Sequence, residues 1–313
     1  MKTIVTLTLN PSLDANTSID QVVAERKLRC EKLEFEPGGG GVNVSRALLR
    51  LGGRSIACYP QGGATGKIIG DLLEKEGVER HTVPIAGWTR ENFIVFERAT
   101  GRQYRFGTPG PDIADEEWNR LSKELETLQP RPDFLVASGS LPPGAPEDFL
   151  AGVAELGRRT SCKVILDSSG ESFARAIEKS KVFLIKPNLR EFRGLIGRDV
   201  QGGSELEKAA AQLVEQGRVE VVVVSLGAGG AIVATGDGVE HLRAPTVKIE
   251  SKVGAGDSQV AGMVLSLARD AELRYAARFG VAAGAAAVMT PGTELCRRED
   301  AARLFEEMQA SGS

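Results

Sequence analysis

The feature that most restricts how this chain can fold is a rhythm. Short apolar, β-branched runs recur, and each is followed by a glycine- or serine-rich turn and then by residues at helical spacing. The runs are residues 3–9, 55–59, 134–137, 164–166, 182–185 and 221–224. They are apolar almost without interruption, as strands are when helices cover both faces of a sheet. Strands alternating with helices predict an α/β fold with a doubly wound, mostly parallel sheet. Val44, Ala47, Leu48 and Leu51 mark one helix, stopped by Gly52-Gly53. Val260, Met263, Val264 and Leu267 mark another, and Leu304, Phe305 and Met308 a terminal one, with 310–313 expected to fray. The chain has 313 residues, 42% of them hydrophobic, enough for one large core, so 1–313 reads as a single domain.

Two stretches break the rhythm, about 15–37 and 88–109. In the second, 92–98 and 102–106 flank Thr100-Gly101 in the manner of a β-hairpin. Together they predict a small separate sheet. A few strands are marginal alone, so this sheet is expected to cover the active site as a lid, to pair with a second subunit, or both.

Composition removes several kinds of chemistry. Only His81 and His241 are present, so a multi-histidine metal site or a histidine relay is excluded, and catalysis falls to carboxylates, Lys, Arg and backbone groups. Cys30, Cys58, Cys162 and Cys296 have no metal-ligand spacing and read as reduced thiols. A net charge of −3 without a polybasic run gives no support for a nucleic-acid partner. No apolar stretch reads as a signal peptide or membrane span. The expectation is a cytoplasmic protein acting on small molecules.

Ligands of an open parallel sheet bind beyond the carboxyl ends of its strands. Those ends read Asn10-Pro11-Ser12-Leu13-Asp14, Ser138-Gly139-Ser140, Asp167-Ser168-Ser169-Gly170, Lys186-Pro187-Asn188 and Ser225-Leu226-Gly227-Ala228-Gly229-Gly230. Any one of them is an ordinary turn; five on one edge point to a ligand site. The strongest motif is Gly254-Ala255-Gly256-Asp257, opening a helix. Glycines admit a ligand to the backbone, and the helix N-terminus favours an anion. Asp257 is then placed to take the proton of an attacking hydroxyl. The plain alternative is an acidic first-turn residue with no further role. Gly38-Gly39-Gly40-Gly41-Val42-Asn43 opens a second helix and suits close approach to a sugar, with Asn43 and Asp14 bonding hydroxyls. Asn188 and Glu191 are three apart, either a capping pair or, with Lys186, a setting for nucleotide-borne Mg²⁺. Lys27, Arg90 and Arg105 lie in the inserted stretches and suit a substrate phosphate; the plain alternative is solvation. Gly66-Lys67 fails as a P-loop, because Gln61 and Ile68 occupy required positions, and no dinucleotide fingerprint follows the first strand.

Taken together, these residues resemble the ribokinase-like sugar kinases of the phosphofructokinase-B family, from Thr6 to about Cys296. Both signature regions are present, one from Gly38 through Asn43, Ser45 and Gly52 to Gly62, the other around Gly254–Asp257. Within the family, Lys27-Leu28-Arg29-Cys30, Phe35-Glu36-Pro37, Trp88-Thr89-Arg90, Gln103-Tyr104-Arg105-Phe106 and Asp167-Ser168-Ser169-Gly170-Glu171 are most similar to the 6-phosphofructokinase branch. Members acting on fructose 1-phosphate or tagatose 6-phosphate usually carry Lys where this chain has Gly40. The resemblance implies ATP-dependent phosphorylation of the C1 hydroxyl of fructose 6-phosphate, with Asp257 as base and Gly254, Ala255 and Gly256 as anion hole. It implies that Asp14, Gly39, Asn43 and Ser140 hold the sugar and that Arg90, Arg105 and Lys27 hold its phosphate, Lys27 from a partner subunit of a homodimer joined through the lid. Lys186, Asn188, Ser225, Gly227, Gly230 and Gly284 would line the ATP site, and Glu191 would order Mg²⁺ through water. Carbonyls of Ser251, Val253, Ala287, Thr290 and Gly292 would take a monovalent cation, K⁺, although Lys252, Pro291 and Glu294 depart from the family pattern. The rival readings are a kinase of tagatose 6-phosphate or fructose 1-phosphate, and a silent sugar-phosphate sensor.

Overall fold

The computed structural model describes residues 1–200 and 202–310. In chain order the elements are β1 (Ile4–Leu7), β2 (Ser12–Ile19), β3 (Glu34–Gly38), α1 (Gly40–Arg50), β4 (Ile56–Gln61), α2 (Gly63–Glu76), β5 (Glu79–Pro84), β6 (Arg90–Glu97), β7 (Arg102–Gly107), α3 (Asp115–Thr127), β8 (Phe134–Ser138), α4 (Phe149–Thr160), β9 (Lys163–Asp167), α5 (Glu171–Lys179), β10 (Val182–Ile185), α6 (Leu189–Ile196), α7 (Ser204–Glu215), β11 (Val219–Ser225), β12 (Ala231–Thr235), β13 (Gly238–Leu242), α8 (Ala255–Ala268), α9 (Leu273–Val288) and α10 (Arg298–Ala310).

Nine strands form one sheet in the order β13-β12-β11-β10-β9-β8-β1-β4-β5. Strands β5 to β11 of that order pair in parallel; β12 and β13 add an antiparallel edge. Its central strands are apolar almost throughout because alternate residues serve different cores. Phe134, Val136, Val221 and Val223 join α1, α8, α9 and α10 on one face. Leu135, Ala137, Val222 and Val224 join α3, α4, α5 and α7 on the other. The helix α8 is buried from Ser258 to Ala268. It lies so close to α9 that a Cβ on Gly280 would stand 2.4 Å from Met263 Cγ.

The four-stranded sheet has the order β3-β2-β6-β7. Strands β2 and β6 are parallel, and β3 and β7 run back antiparallel. The stretches that break the rhythm do form this sheet, but its bounds differ from the expectation. The strand β2 begins at Ser12, so Ser12–Asp14 is strand and not a turn after β1, and Gly38, the first of the glycine run, ends β3. All four strands join the large sheet at one rim, through residues 8–11, Gly39, 85–89 and 108–114. Leu13 anchors that rim by packing with Val42, Tyr59, Ile69 and Leu73, a burial worth roughly 1.5–3 kcal/mol. The far rim carries only residues 20–33 and 98–101. The expected fraying over 310–313 falls outside the described residues, apart from Ala310, which closes α10.

Candidate active site

The chain adds β4 and β5 on one side of β1 and then returns to place β8 on the other. Such a reversal opens a crevice at the carboxyl ends of the strands. Here the N-terminus of α1 packs into it. A Cβ on Gly40 would lie 2.4 Å from Ser138 Oγ and 2.6 Å from the Gly139 amide nitrogen. No side chain fits there without moving the turn after β8. Gly39, at φ 107°, takes a conformation that glycine alone adopts easily.

The N-terminus of α8 meets that of α1 at this crevice. Gly254 has φ 71° and accepts the first helical bond from Ser258 N at 2.8 Å. Ala255, Gly256 and Asp257 form the first turn, with Asp257 partly buried. Asn43 Nδ2 of α1 donates to Asp257 Oδ2 at 3.0 Å. Burial pushes the Asp257 carboxyl up to about 7, aided by the negative Asp167; the Asn43 bond and the Lys186 charge act the other way. Lys186, buried, pairs with Asp167 at 3.0 Å, and Ser138 Oγ donates to the other Asp167 oxygen at 3.1 Å. Burial alone would lower the Lys186 ammonium, but Asp167, with Asp257 and Glu191, raises it overall, so it stays charged. A carboxyl near 7 beside a helix N-terminus and a fixed cation is poised to accept a proton from a hydroxyl and to face a transferring anion.

On the small sheet, Asp14 lies directly opposite Asn92 and Glu36. Ser12 Oγ donates to Asp14 Oδ1 at 2.7 Å and Asn92 Nδ2 to the same oxygen at 2.8 Å, which fixes the carboxylate. Arg90, partly buried, donates to the Asn10 carbonyl at 3.3 and 3.2 Å, to that of Thr108 at 3.3 Å, and to Asn92 Oδ1 at 3.4 Å. Burial lowers its pKa, and Asp14 opposes the fall. Arg105 pairs with Ile94 on β6, on the face that carries Asp14 and Asn92, and is exposed. Ser140, exposed after β8, accepts from Asn10 Nδ2 at 3.4 Å. Lys27 stands apart, exposed in the 20–33 segment beyond the far rim.

The nucleotide candidates occupy the next strand ends. Asn188 caps α6: its Oδ1 accepts from Glu191 N at 2.9 Å, and its own amide donates to Glu191 Oε2 at 2.9 Å. Ser225 bridges to Asn188 and donates its amide to the Pro187 carbonyl at 3.0 Å. Gly227 and Gly230 shape the turn after β11 with φ 59° and 90°, and a Cβ on Gly230 would strike the Leu242 carbonyl at 1.9 Å. Gly284, on α9, lies where a Cβ would be 3.2 Å from the Ala255 carbonyl.

Among the described residues no group of three or more His, Cys, Asp or Glu is placed to hold a metal. Glu191, half engaged in capping, suits a hydrated Mg²⁺ carried by a nucleotide and not a protein cage. Of the residues read as a monovalent-cation site, Ser251 bonds the Gly292 carbonyl and Thr290 the Ala287 carbonyl, each through its hydroxyl and not its own carbonyl. Glu250 N and Ser251 N donate to the Val288 carbonyl at 2.8 and 3.3 Å, Ser251 Oγ donates to the Gly292 carbonyl at 2.5 Å, and Thr290 Oγ1 donates to the carbonyls of Ala287 and Glu294 at 2.7 and 2.6 Å. Val253 N donates to Ser251 Oγ at 3.2 Å. A carbonyl oxygen has a second lone pair, so the Ala287 and Gly292 carbonyls keep capacity for a large monovalent cation.

Sequence reasoning did not single out Asn92, and it named Ser138 and Asp167 only as members of strand-end turns, without a role. Alternation along β6 puts Asn92 on the same face as Arg90, a signal open to inspection. The contacts of Ser138 and Asp167 depend on strand order, which the sequence does not state.

The profile of the pfkB family carbohydrate kinases matches residues 8–300. The ATP-dependent 6-phosphofructokinase isozyme 2 of Mycobacterium tuberculosis is 44% identical over 97% of this chain and 89% of its own length. The protein of the same name from Escherichia coli K12 is 42% identical over 97% of this chain and 98% of its own. Crystal structures of the Escherichia coli phosphofructokinase-2 superpose with TM-scores of 0.95 in complex with potassium and 0.93 in complex with fructose-6-phosphate, at 41% and 40% identity, covering 99% of this chain and 100% of theirs. With both signature regions at one crevice and similarity along nearly its whole length, the chain belongs to the pfkB family of carbohydrate kinases.

Proposed function

We propose that the protein is an ATP-dependent 6-phosphofructokinase, transferring the γ-phosphoryl group of ATP to the C1 hydroxyl of fructose 6-phosphate. The observation that carries this reading is the convergence of Asp257, Asn43 and the Gly254–Gly256 turn at the crevice, with Asp14 and Arg90 together on one face at the root of the small sheet. Asp14 and Asn43, with Gly39 and Ser140, orient the sugar. Arg90 and Arg105 hold its phosphate. Asp257 takes the C1 hydroxyl proton as the new O–P bond forms and the bond to ADP breaks. The amides of Gly254, Ala255 and Gly256 and the Lys186 ammonium stabilise the charge that develops. The turn at Gly227 and Gly230, with Asn188 and Ser225, receives the nucleotide, and Mg²⁺ would neutralise its phosphates near Glu191. A monovalent cation at the Ser251–Gly292 carbonyls would brace the anion-hole loop.

The working unit is a homodimer joined through the small sheet. Phe35, Phe93 and Phe106, which are 42%, 41% and 57% exposed, form a row across that sheet on the face away from Asp14 and Asn92. A solvated row of this kind favours coverage by another surface. Because Lys27 sits beyond the far rim of its own sheet, it is suited to the partner's cleft. The test is ADP release across fructose 6-phosphate, tagatose 6-phosphate, fructose 1-phosphate and the unphosphorylated sugars. The expected result is highest kcat/KM on fructose 6-phosphate; preference for another sugar phosphate replaces the substrate, and no release with any eliminates the kinase.

A further inference from the structure

Glu36 lies directly opposite Asp14 in the β2–β3 register, two residues before the glycine run. Its carboxylate is drawn into the molecule. One oxygen accepts from Thr293 Oγ1 and from Asn16 Nδ2, the latter at 3.3 Å. The other stands 3.6 Å from Arg46 Nη2. Arg46 is 3% exposed and is itself held by Glu76 at 2.8 Å and by the Pro37 carbonyl at 3.1 Å. The carboxylate is thus set against a fixed buried cation, and its bond to Thr293 is of the stronger, charge-assisted kind.

Thr293 belongs to the loop that backs the anion hole. The neighbouring Gly292 carbonyl receives the Ser251 hydroxyl. Arg50 of α1 bonds the Leu295 carbonyl at 3.4 Å and pairs with Glu294. Leu295 packs against Gly254 so tightly that a Cβ there would be 2.5 Å from Leu295 Cδ2. A short run of contacts therefore leads from Asp14 through Glu36, Thr293 and Leu295 to Gly254.

We infer that the Glu36–Thr293 bond is a latch that ties the sugar-holding edge of the small sheet to the anion-hole loop, so that sugar binding sets the geometry of phosphoryl transfer. The inference rests on the proposed function above. Both are positioning residues: they act through Asp14 and Gly254 and touch no reacting atom. Contiguity alone does not demonstrate coupling, so the test measures coupling directly. Backbone hydrogen exchange is followed with and without fructose 6-phosphate in the full chain and in Thr293→Val and Thr293→Ser. In the parent, the sugar phosphate slows exchange in the glycine run and in residues 290–295. In Thr293→Val, the slowing persists in the glycine run and disappears from 290–295; Thr293→Ser restores it.

In parallel, Thr293→Val and Glu36→Gln lower kcat about tenfold, while KM for fructose 6-phosphate stays within about threefold. Retained slowing of 290–295 in Thr293→Val overturns the latch, as does a rise in KM with kcat unchanged. If fructose 6-phosphate protects no segment of the parent, the substrate reading fails and the latch with it. Protection of the glycine run without 290–295 in the parent overturns the latch alone.

Discussion

Asp257 meets two opposed demands. As the proposed base it must lose its proton near neutrality, yet burial and Asp167 favour the protonated form, and its pKa of about 7 is the resultant. Asp257→Asn is expected to lower kcat by about 10²–10⁴-fold, the usual range for a general base, with sugar-phosphate binding by calorimetry retained. In the parent, kcat/KM should decline as pH falls through about 7, because the carboxylate is then being protonated. The same shift has a stability sign. A carboxyl whose folded pKa lies above its ordinary 3.8 favours folding at low pH, and that contribution is lost as pH rises through about 7. Asp257→Asn should therefore unfold at a higher Tm than the parent at pH 8, with the gap closing below about pH 4. The residue was legible because glycines and a helix start flag it locally. Asp167 is not flagged in this way: its partners Lys186 and Ser138 are 19 and 29 positions away, and pairing at such distance has no local pattern.

At the scale of elements, the junction of α1 with the turn after β8 tolerates no side chain. Gly40→Ala should cost about 1–3 kcal/mol by overpacking, read by denaturant unfolding, with turnover impaired because the displaced turn carries Ser138 and Ser140. The start of α6 is a milder case. Asn188→Ala removes a cap worth about 1 kcal/mol and should raise KM for ATP more than KM for the sugar. The central strands were legible from their apolar runs, whose bounds agree with β8 to β11 within two residues. The edges were not. Strand β5 reads Glu79-Arg80-His81-Thr82-Val83-Pro84 and is largely solvated, so it lacks the apolar run that marks its neighbours. The hairpin β12–β13 reverses direction and breaks the βα rhythm on which the reading depended. Glu36 and Thr293 stand 257 positions apart, and nothing local to either one announces the other.

For the whole molecule, the proposed association is a matter of one sheet face, the one that carries Phe35, Phe93 and Phe106. Phe93→Asp should shift the sedimentation coefficient to that of a monomer and weaken sugar-phosphate binding, since Lys27 would no longer reach a neighbouring cleft. Unchanged sedimentation would remove the small sheet as the joining surface. The attachment of that sheet by one rim also has a mechanical meaning. It is a cantilever clamped at Ser12, Gly38, Arg90 and Gly107, with Ile19, Glu34, Glu97 and Arg102 at its free end. Displacement grows with distance from a clamp. Asp14, Asn92 and Arg90, within two residues of it, sweep the shortest arcs, so the proposed sugar-holding residues stand at the stiff root while the broad motions of the tip are left to whatever the tip meets.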